Sequence, residues 1–401
     1  MANILGINLS SLAPDKIRVL LGEWLEGGAQ RFIATPNPEI ILAAHADEEL
    51  FYILNCADLA PADGFGLRLA GWLYGERVPR FTGADIVAEL IQLAIDKKAR
   101  IAVLNWRGGL SPAAEIESAL GKKYPGLEYL IVDTSRTHSL PSLLEDALSR
   151  LATFKPSILF CTFGSPYQEK VIYHNLAKLP SVRIAIGCGG AFDFLTGRLR
   201  RAPRVWRRWG LEWLWRLISQ PTRWRRIYRA VFVFTFEVLK AMFISRYRYR
   251  SNVACLLYKS DAGVKKVLIV ERTGEAGHWQ LPQGGTDGEE IEIAGARELR
   301  EETGAVSIAS RGVFSGLHRY KFPKKNNYRG SENCEHKYDY RGQKQSLFIA
   351  EFLGADTEIK INFWDHSSWR WVKVESLIEA LHPIRRSAAQ IYIEKFKSLN
   401  L

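Results

Sequence analysis

Short apolar runs recur through the first half of the chain and alternate with segments long enough to form helices. The clearest runs are residues 101–104, 129–132, 157–160 and 183–186. Strands buried on both faces of a parallel sheet have this continuous apolar character, and helices connect such strands. The pattern predicts an α/β fold with a Rossmann-like parallel sheet over residues 1–197.

The second half begins with a different arrangement. Residues 253–258 and 266–271 are apolar and rich in β-branched side chains, and a Lys-Ser-Asp-Ala-Gly sequence lies between them. This order predicts two strands joined by a turn. A helix is expected to begin near Glu290.

The positive charge of the chain is confined to one segment. The net charge is +12, but residues 198–250 hold fourteen arginines and one lysine against two glutamates, so the rest of the chain sums to −1. Five of the twelve tryptophans lie in the same segment. Basic, Trp-rich segments are typical of anionic membrane surfaces first and of nucleic acid second. Residues 198–246 are called the basic appendage below.

The apolar stretch 231–244 is interrupted by Glu237 and Lys240 and falls short of the ~20 residues needed to cross a bilayer. We therefore expect the protein to lie on the membrane. The five cysteines include no Cys-x-x-Cys pair, and the N-terminus has no secretory signal pattern. The predicted location is the cytoplasm, peripheral on the inner face of the cytoplasmic membrane.

The predicted strands of the first half run into loops at 105–109, 162–166 and 187–190, which is where parallel sheets bind nucleotides. No P-loop or Gly-x-Gly-x-x-Gly sequence is present. Six separated motifs resemble the WecG/TagA/CpsF glycosyltransferase family: 35–39, 62–66, 80–85, 164–170, 189–194 and 200–226. The resemblance covers about residues 1–230 and extends as a domain to about 245. It implies transfer of an N-acetylmannosamine-type sugar from UDP to polyprenyl-diphosphate-linked N-acetylglucosamine, as in the synthesis of a teichoic acid-like linkage or another cell-surface polysaccharide.

Sugar transfer requires a base at the acceptor hydroxyl and groups that receive the departing UDP. Asp63, in a glycine-flanked loop, is the predicted base, although an Asp-Gly pair is most often a simple turn. The predicted substrate-binding residues are Thr35, Asn37, Arg80, Gln168, Arg216, Arg223 and Arg226. No Asp-x-Asp lies in this half, so no cofactor is expected there. A helical stripe of Leu211, Leu214, Trp215 and Ile218 is interpreted as contacting either lipid or the protein core.

Glu298, Glu301 and Glu302 fall at i, i+3 and i+4 of the helix predicted near Glu290, and carboxylates crowded in this way are typical of Mg²⁺ sites. The sequence from Gly284 to Gly304 resembles the Nudix box, with a loop one residue short between Gly284 and Glu289. The resemblance implies an α/β/α sandwich with a mixed sheet, these three glutamates as catalytic Mg²⁺ or Mn²⁺ ligands, and Arg297 and Asp365 as orienting residues. Within the superfamily, segments 279–285, 340–345 and 369–372 are similar to the RNA pyrophosphohydrolase and dinucleoside-polyphosphate hydrolase branch.

The predicted organisation is a glycosyltransferase core (1–197), the basic appendage (198–246) and a Nudix hydrolase domain (247–401) that cleaves a nucleoside diphosphate-linked substrate. Two alternatives stay open. The Nudix domain is a non-catalytic nucleotide sensor in one, and the basic appendage is an RNA clamp in the other, although nucleic acid is the less favoured partner. A homo-oligomer is also left open.

Overall fold

A computed structural model describes residues 1–135, 145–322 and 340–400, and the chain divides into two compact units, Met1–Leu239 and Lys240–Leu401. Each unit has its own β-sheet and its own hydrophobic core. The mixed α/β architecture predicted for both halves is confirmed.

The first unit begins with a small antiparallel pair of strands, followed by a larger sheet whose strands alternate with helices. In chain order its elements are β1 (Ala2–Ile4), β2 (Ile7–Leu9), α1 (Pro14–Glu26), β3 (Arg31–Ile33), α2 (Pro38–Ala44), α3 (Glu48–Cys56), α4 (Phe65–Leu73), α5 (Gly83–Asp96), β4 (Ile101–Trp106), α6 (Ala113–Lys123), β5 (Tyr129–Thr134), α7 (Glu145–Phe154), β6 (Ile158–Cys161), α8 (Tyr167–Asn175), β7 (Ile184–Gly187) and α9 (Ala191–Leu195).

The large sheet contains five parallel strands in the order β3-β7-β6-β4-β5. The four strands predicted from apolar runs are β4, β5, β6 and β7. Phe160 on β6 and Phe192 on α9 are both buried, and their rings pack edge to face at 5.6 Å. Burying one such ring stabilises the fold by roughly 1.5–3 kcal/mol. The carboxyl ends of the strands meet at one edge, where the predicted ligand loops begin.

The basic appendage is built of short helices. They are α10 (Arg204–Arg208), α11 (Glu212–Ser219), α12 (Trp224–Tyr228), a π-helix (Arg229–Val233) and α13 (Phe234–Phe243). The predicted helical stripe is divided between packing and exposure: Leu211, Leu214 and Trp215 are half-buried, whereas Ile218 is exposed. Trp215 packs against Trp206 with ring centroids 5.9 Å apart.

The second unit contains a seven-stranded mixed sheet. Its elements are β8 (Tyr249–Asp261), β9 (Val264–Arg272), β10 (Trp279–Gln280), β11 (Gln283–Gly285), α14 (Ile291–Thr303), β12 (Ile308–Lys321), β13 (Gly342–Phe352), β14 (His366–Lys373), α15 (Leu377–Ala380) and α16 (Arg386–Ser398). The main path is β10-β9-β8-β13-β12, with β11 paired to β8 and β14 paired to β9. Among the described strands of this unit, only the β8–β13 pair is parallel.

Alternate residues of β8 belong to two different cores. Val253, Cys255 and Leu257 pack with Leu299 of α14, whereas Ala254, Leu256 and Tyr258 pack with Phe396 of α16. Successive side chains of a strand point to opposite faces, so helices cover both faces of the sheet. This is the predicted α/β/α sandwich.

The turn between β8 and β9 is shorter than the sequence predicts. Both strands extend into the polar stretch, and the loop consists of Ala262 and Gly263, with φ of +47° and +77°. Two consecutive positive φ values are those of a primed two-residue hairpin turn, whose twist matches that of the strands. The polar side chains of 259–261 thus lie on strand residues.

Candidate functional site

A cavity of about 860 Å³ opens at the carboxyl edge of the parallel sheet in the first unit. The loops that follow β3, β4, β6 and β7 form one side of it, and residues of the basic appendage form the other. Most of the predicted site residues of this half line the cavity: Thr35, Asn37, Asp63, Gln168, Arg216, Arg223 and Arg226. Arg80 is linked to the lining through Glu212.

Asp63 is fixed in the loop between α3 and α4. Its backbone N–H donates to the carbonyl of Pro36 at 2.8 Å, and its Oδ2 accepts from the N–H of Gly83 at 3.3 Å. Gly64 follows with φ of +122°, a conformation that side-chain-bearing residues rarely adopt. Burial raises the pKa of the Asp63 carboxyl, the nearby Glu212 carboxylate raises it further, and Arg216 and Arg80 lower it. A carboxylate with a raised pKa is a better proton acceptor than an ordinary aspartate.

Thr35 and Asn37 follow β3, and their side chains make hydrogen bonds within the fold. The Thr35 hydroxyl donates to the carbonyl of Gly187 at 3.0 Å, which ties the end of β3 to the end of β7. Asn37 is the N-cap of α2, and its Oδ1 accepts from the N–H of Ile40 at 2.9 Å. The cap uses Oδ1 of Asn37 and not Nδ2, and the contact of Asn37 with substrate stays a prediction.

Gln168 is 3% exposed and joins α8 to the loop after β7. Its Oε1 accepts from the N–H of Gly189 at 2.9 Å, and its Nε2 donates to Glu169 at 2.8 Å. Burial raises the pKa of the Glu169 carboxyl. Gln168 therefore shapes the cavity by holding the glycine-rich loop, and its direct contact with substrate stays a prediction.

Two of the four arginines predicted to bind phosphate converge on one carboxylate. Glu212 accepts from Arg80 and, at 3.0 Å, from Nη2 of Arg216. At the rim of the cavity, Arg226 makes a bidentate pair with Glu39, with both N···O distances 2.8 Å. These contacts place the guanidinium groups beside the cavity and balance part of their charge.

Arg223 differs from these three. Within the described part of the chain it has no ion pair, and burial lowers its pKa together with the neighbouring Arg226 and Arg216 guanidinium groups. The carboxylates of Glu39 and Asp193 oppose this effect in part. The binding of a phosphate group by Arg223 stays a prediction.

Glu212 and Asp193 are among the cavity residues that were not predicted from the sequence. Oδ1 of Asp193 accepts from the Ser111 hydroxyl at 2.7 Å, and burial raises the pKa of this carboxyl. Glu212 had one signal in the sequence, since it is one of two glutamates in a segment of net charge +13.

In the second unit, the backbone of β11 lies against a carboxylate of α14. A Cβ atom on Gly284 would lie 2.0 Å from the Glu298 carboxylate, so only glycine allows this approach. The loop is one residue short of the Nudix pattern, and it turns through Asp287 and Gly288 with φ of +47° and +88°. The helix keeps its register and ends at Gly304, whose φ of +73° is that of a left-handed C-cap.

Arg297 lies between the carboxylates of this unit. Its guanidinium group donates to Glu289, Glu298 and Glu301 at 2.8–2.9 Å and to the carbonyl of Gly285 at 2.8 Å. The pairs with Glu298 and Glu301 share Nη1. The contacts are those expected of an orienting residue, a role that stays a prediction.

Glu302 is 8% exposed. Its Oε2 accepts from the N–H of Gln283 at 2.9 Å and lies 3.1 Å from Nε2 of His366. Burial lowers the pKa of His366 to about 4, so this ring is neutral at pH 7. No sequence pattern predicted His366, because the pairing of β9 and β14 brings it to the helix from 64 residues away.

Asp365 contacts α14 through Asn362. The Asn362 side chain donates to Oδ2 of Asp365 at 3.0 Å and to the carbonyl of Glu301 at 3.3 Å. Arg250 is a further basic residue that was not predicted: its guanidinium group packs against Gly285.

The predicted metal ligands are held apart from one another. Across residues 1–135, 145–322 and 340–400, no group of three or more His, Cys, Asp or Glu residues is gathered closely enough to hold a metal ion. Arg297 occupies the position between Glu298 and Glu301. The donor set nevertheless fits a hard divalent cation, because it consists of carboxylates, one of which lies close against the Gly284 backbone.

Comparison with known families now adds to this geometry. The sequence model of the Glycosyl transferase WecG/TagA/CpsF family matches residues 2–248, more than half of the chain. The chain belongs to this family. The NUDIX domain matches residues 248–394. Both family assignments made from the sequence are confirmed, and so are the two enzyme classes: this WecG/TagA/CpsF protein also carries a Nudix hydrolase domain.

Curated relatives match each half. The N-acetylglucosaminyldiphosphoundecaprenol N-acetyl-beta-D-mannosaminyltransferase of Bacillus subtilis is 33% identical over 49% of this chain and 74% of its own length. The RNA pyrophosphohydrolase of Caulobacter vibrioides is 33% identical over 37% of this chain and 87% of its own length. Among solved structures, the C. elegans Ap4A hydrolase binary complex is 16% identical over 37% of this chain and 98% of that one, with a TM-score of 0.29.

The basic appendage of this WecG/TagA/CpsF protein exposes an aromatic stripe that the sequence analysis missed. Trp224, Tyr228, Phe232 and Phe236 are 52–61% exposed and recur every four residues. In a regular α-helix four residues make slightly more than one turn, so side chains with this spacing would shift gradually around the helix axis. The π-helix at 229–233 has a wider turn and lies in the middle of the stripe, which keeps the four side chains on one face. In the part of the chain that the structure describes, no helix is long and apolar enough to cross a bilayer.

Proposed function

We propose that the first unit transfers an N-acetylmannosamine-type sugar from a UDP-sugar to a polyprenyl-diphosphate-linked N-acetylglucosamine acceptor. The observation that carries the proposal is the cavity that brings Asp63 together with the cationic group of Arg216, Arg223 and Arg226. A base and an anion-binding side within one cavity are what transfer from a nucleoside diphosphate requires. The activity for which the Bacillus subtilis relative is named supports this choice of sugar and lipid.

In the proposed reaction, the acceptor hydroxyl attacks the anomeric carbon of the donor as Asp63 takes the hydroxyl proton. The bond between that carbon and the β-phosphate oxygen breaks, and UDP leaves with the electron pair. The guanidinium groups of Arg223 and Arg226 stabilise the charge that develops on the diphosphate. The Gly83 N–H holds Oδ2 of Asp63, which leaves Oδ1 to accept the proton. A mass-spectrometric search for an acceptor analogue extended by one sugar tests the reaction, and an unextended acceptor with every UDP-sugar would refute it.

Arg223 gives a prediction for donor binding. Replacing Arg223 with alanine is expected to raise the Kd for UDP about 10- to 100-fold, because a charge-assisted contact in a half-buried site is lost. Isothermal titration calorimetry with the full chain measures the effect. Arg225→Ala is the matched control, since Arg225 is exposed and lies over Trp224. Equal UDP affinity in the Arg223→Ala variant and the wild type would contradict the assignment.

We also propose that the basic appendage holds the protein on the inner face of the cytoplasmic membrane. The aromatic stripe supplies apolar surface at the level of the lipid headgroups, and Arg225 and Arg229 beside it are exposed cations that attract anionic lipid. A membrane-surface position would bring the cavity to a lipid-linked acceptor.

Replacing both Phe232 and Phe236 with serine is expected to lower binding to anionic vesicles at least about tenfold, because two exposed rings no longer insert. Co-sedimentation over a salt series measures this binding, with Val19→Ser as a control at an exposed apolar position on α1. Unchanged vesicle binding in the double variant, accompanied by weaker RNA binding, would favour the RNA-clamp alternative instead.

The three-part division into 1–197, 198–246 and 247–401 is part of the proposal. The two family matches meet at residue 248, which supports a junction there. The compact units divide a few residues earlier, between Leu239 and Lys240 within α13. An oligomer is left open.

For the second unit we propose Mg²⁺- or Mn²⁺-dependent hydrolysis of a nucleoside diphosphate-linked substrate. Glu298, Glu301 and Glu302 would hold the cation beside Gly284, and Arg297 would orient Glu298 and Glu301. A bound cation would polarise the substrate's phosphates and lower the pKa of an attacking water. Asp365, linked to α14 through Asn362, would support the same end of the helix.

We propose that the two activities serve one pathway, and the support for this is only that the two domains are covalently linked. It predicts that the hydrolase acts on a nucleotide or diphosphate metabolite of polysaccharide synthesis. Cleavage of capped RNA or dinucleoside polyphosphates, with no action on UDP-sugars or UDP, would contradict this link and leave the hydrolase assignment intact.

A further inference from the structure

Glu212 occupies a central place on the cationic side of the cavity. It is the first residue of α11, and its carboxylate is 16% exposed. One oxygen accepts from Arg80, which belongs to the loop before α5, and the other accepts from Arg216, one helical turn further along α11. Glu212 therefore joins the basic appendage to the core at the cavity.

The Glu212 carboxylate lies among arginines. Burial would raise the pKa of Glu212, but Arg216, Arg80 and Arg201 outweigh it and lower the pKa, so the group is ionised. A carboxylate in this position balances part of the charge of two guanidinium groups that a diphosphate would also need. Carboxylate and phosphate oxygens bind guanidinium with the same planar geometry.

We infer that Glu212 is a positioning residue that holds the guanidinium groups of Arg80 and Arg216 at the cavity and gives them up to the diphosphate of an incoming ligand. The inference rests on the proposed transferase function. Glu212 occupies both guanidinium groups before a ligand arrives. Binding of a diphosphate therefore costs the exchange of one anionic partner for another.

The exchange has a consequence that a purely structural ion pair would not have. A bound diphosphate and the Glu212 carboxylate repel each other, so neutralising Glu212 is expected to tighten diphosphate binding. Removing a purely structural pair would instead leave Arg80 and Arg216 disordered and weaken it. The two accounts thus predict opposite changes in affinity.

Glu212 also acts on the proposed base. The groups that face Asp63 are the Glu212 carboxylate, the Arg216 and Arg80 guanidinium groups and the Gly83 N–H, and Glu212 is the one among them that raises the pKa of Asp63. Neutralising Glu212 is therefore expected to lower that pKa and to move the acidic limb of the kcat/KM profile for sugar transfer to lower pH.

The test is calorimetric titration of the full chain with UDP and with inorganic diphosphate. Glu212→Gln is expected to bind both probes roughly tenfold more tightly than the wild type. Glu212→Asp keeps the charge and is expected to bind them about as the wild type does. The control Glu89→Gln, on α5, removes a carboxylate from an ion pair with Arg18 of α1 and should change nothing.

A second variant, Glu212→Ala, covers the case in which the glutamine variant is poorly folded. A second measurement, the rise in Tm on adding UDP, is made on both variants. A larger UDP-dependent rise in either neutral variant than in the wild type supports the inference. Unchanged or weaker UDP binding in the neutral variants overturns it while the transferase proposal stands. If the wild type binds neither UDP nor diphosphate, the proposed function and this inference fail together.

Discussion

Replacing Asp63 with asparagine is expected to lower kcat for sugar transfer by about 10³-fold, because the amide cannot take the acceptor's proton. Asparagine has nearly the same shape and still accepts the Gly83 N–H, so the cavity should be preserved. Burial raises the pKa of Asp63. As the pH is lowered, the kcat/KM of the wild type should therefore begin to fall at a higher pH than it would if the base were an ordinary aspartate. Initial rates across pH measure both effects.

Asp96→Asn is the matched control for this substitution. Asp96 ends α5 in an exposed position and pairs with Gln92 at 2.9 Å, away from the cavity lining. Its variant should transfer sugar at the wild-type rate. Transfer at that same rate by the Asp63→Asn variant, with UDP binding intact, would exclude Asp63 as the base.

Replacing Glu302 with glutamine is expected to lower the rate of nucleotide hydrolysis on the order of 10³-fold and to leave sugar transfer unchanged. The buried carboxylate supplies a negative charge to the proposed cation site, whereas glutamine can still accept from the N–H of Gln283. The substitution would therefore remove the negative charge and change the structure little. Phosphate release at saturating Mg²⁺ measures it.

Glu292→Gln is the matched control on the same helix, because Glu292 is an exposed first-turn residue of α14. If wild-type protein binds nucleotide but shows no Mg²⁺-dependent turnover, the hydrolase proposal fails and the sensor alternative gains support. Equal turnover in the Glu302→Gln variant and the wild type would remove Glu302 from the catalytic group.

The sequence predicted the elements whose signal is local. Continuous apolar runs correspond to β4, β5, β6 and β7 because both faces of that sheet are covered, and the run at 253–258 lies between two cores for the same reason. The carboxylate helix begins at Ile291, next to its expected start, and Gly304 ends it.

The features that the sequence did not predict depend on contacts between distant residues. Glu212 meets Arg80 from 132 positions away, and Arg226 meets Glu39 from 187. No periodicity encodes such pairs, so the arginines were assigned to phosphates without their protein partners. The aromatic stripe was missed for a different reason: its four-residue spacing becomes one face only because of the π-helix at 229–233.

The central claim, that this chain transfers a sugar from UDP to a lipid-linked acceptor, is tested most directly by UDP release. A panel of UDP-sugars would be incubated with a Glu301→Gln/Glu302→Gln double variant, so that nucleotide hydrolysis is silent. Each donor would be assayed with and without a polyprenyl-diphosphate N-acetylglucosamine analogue in lipid. We expect acceptor-dependent UDP release from an N-acetylmannosamine donor. Folded protein that releases no UDP in response to the acceptor with any donor would contradict the account.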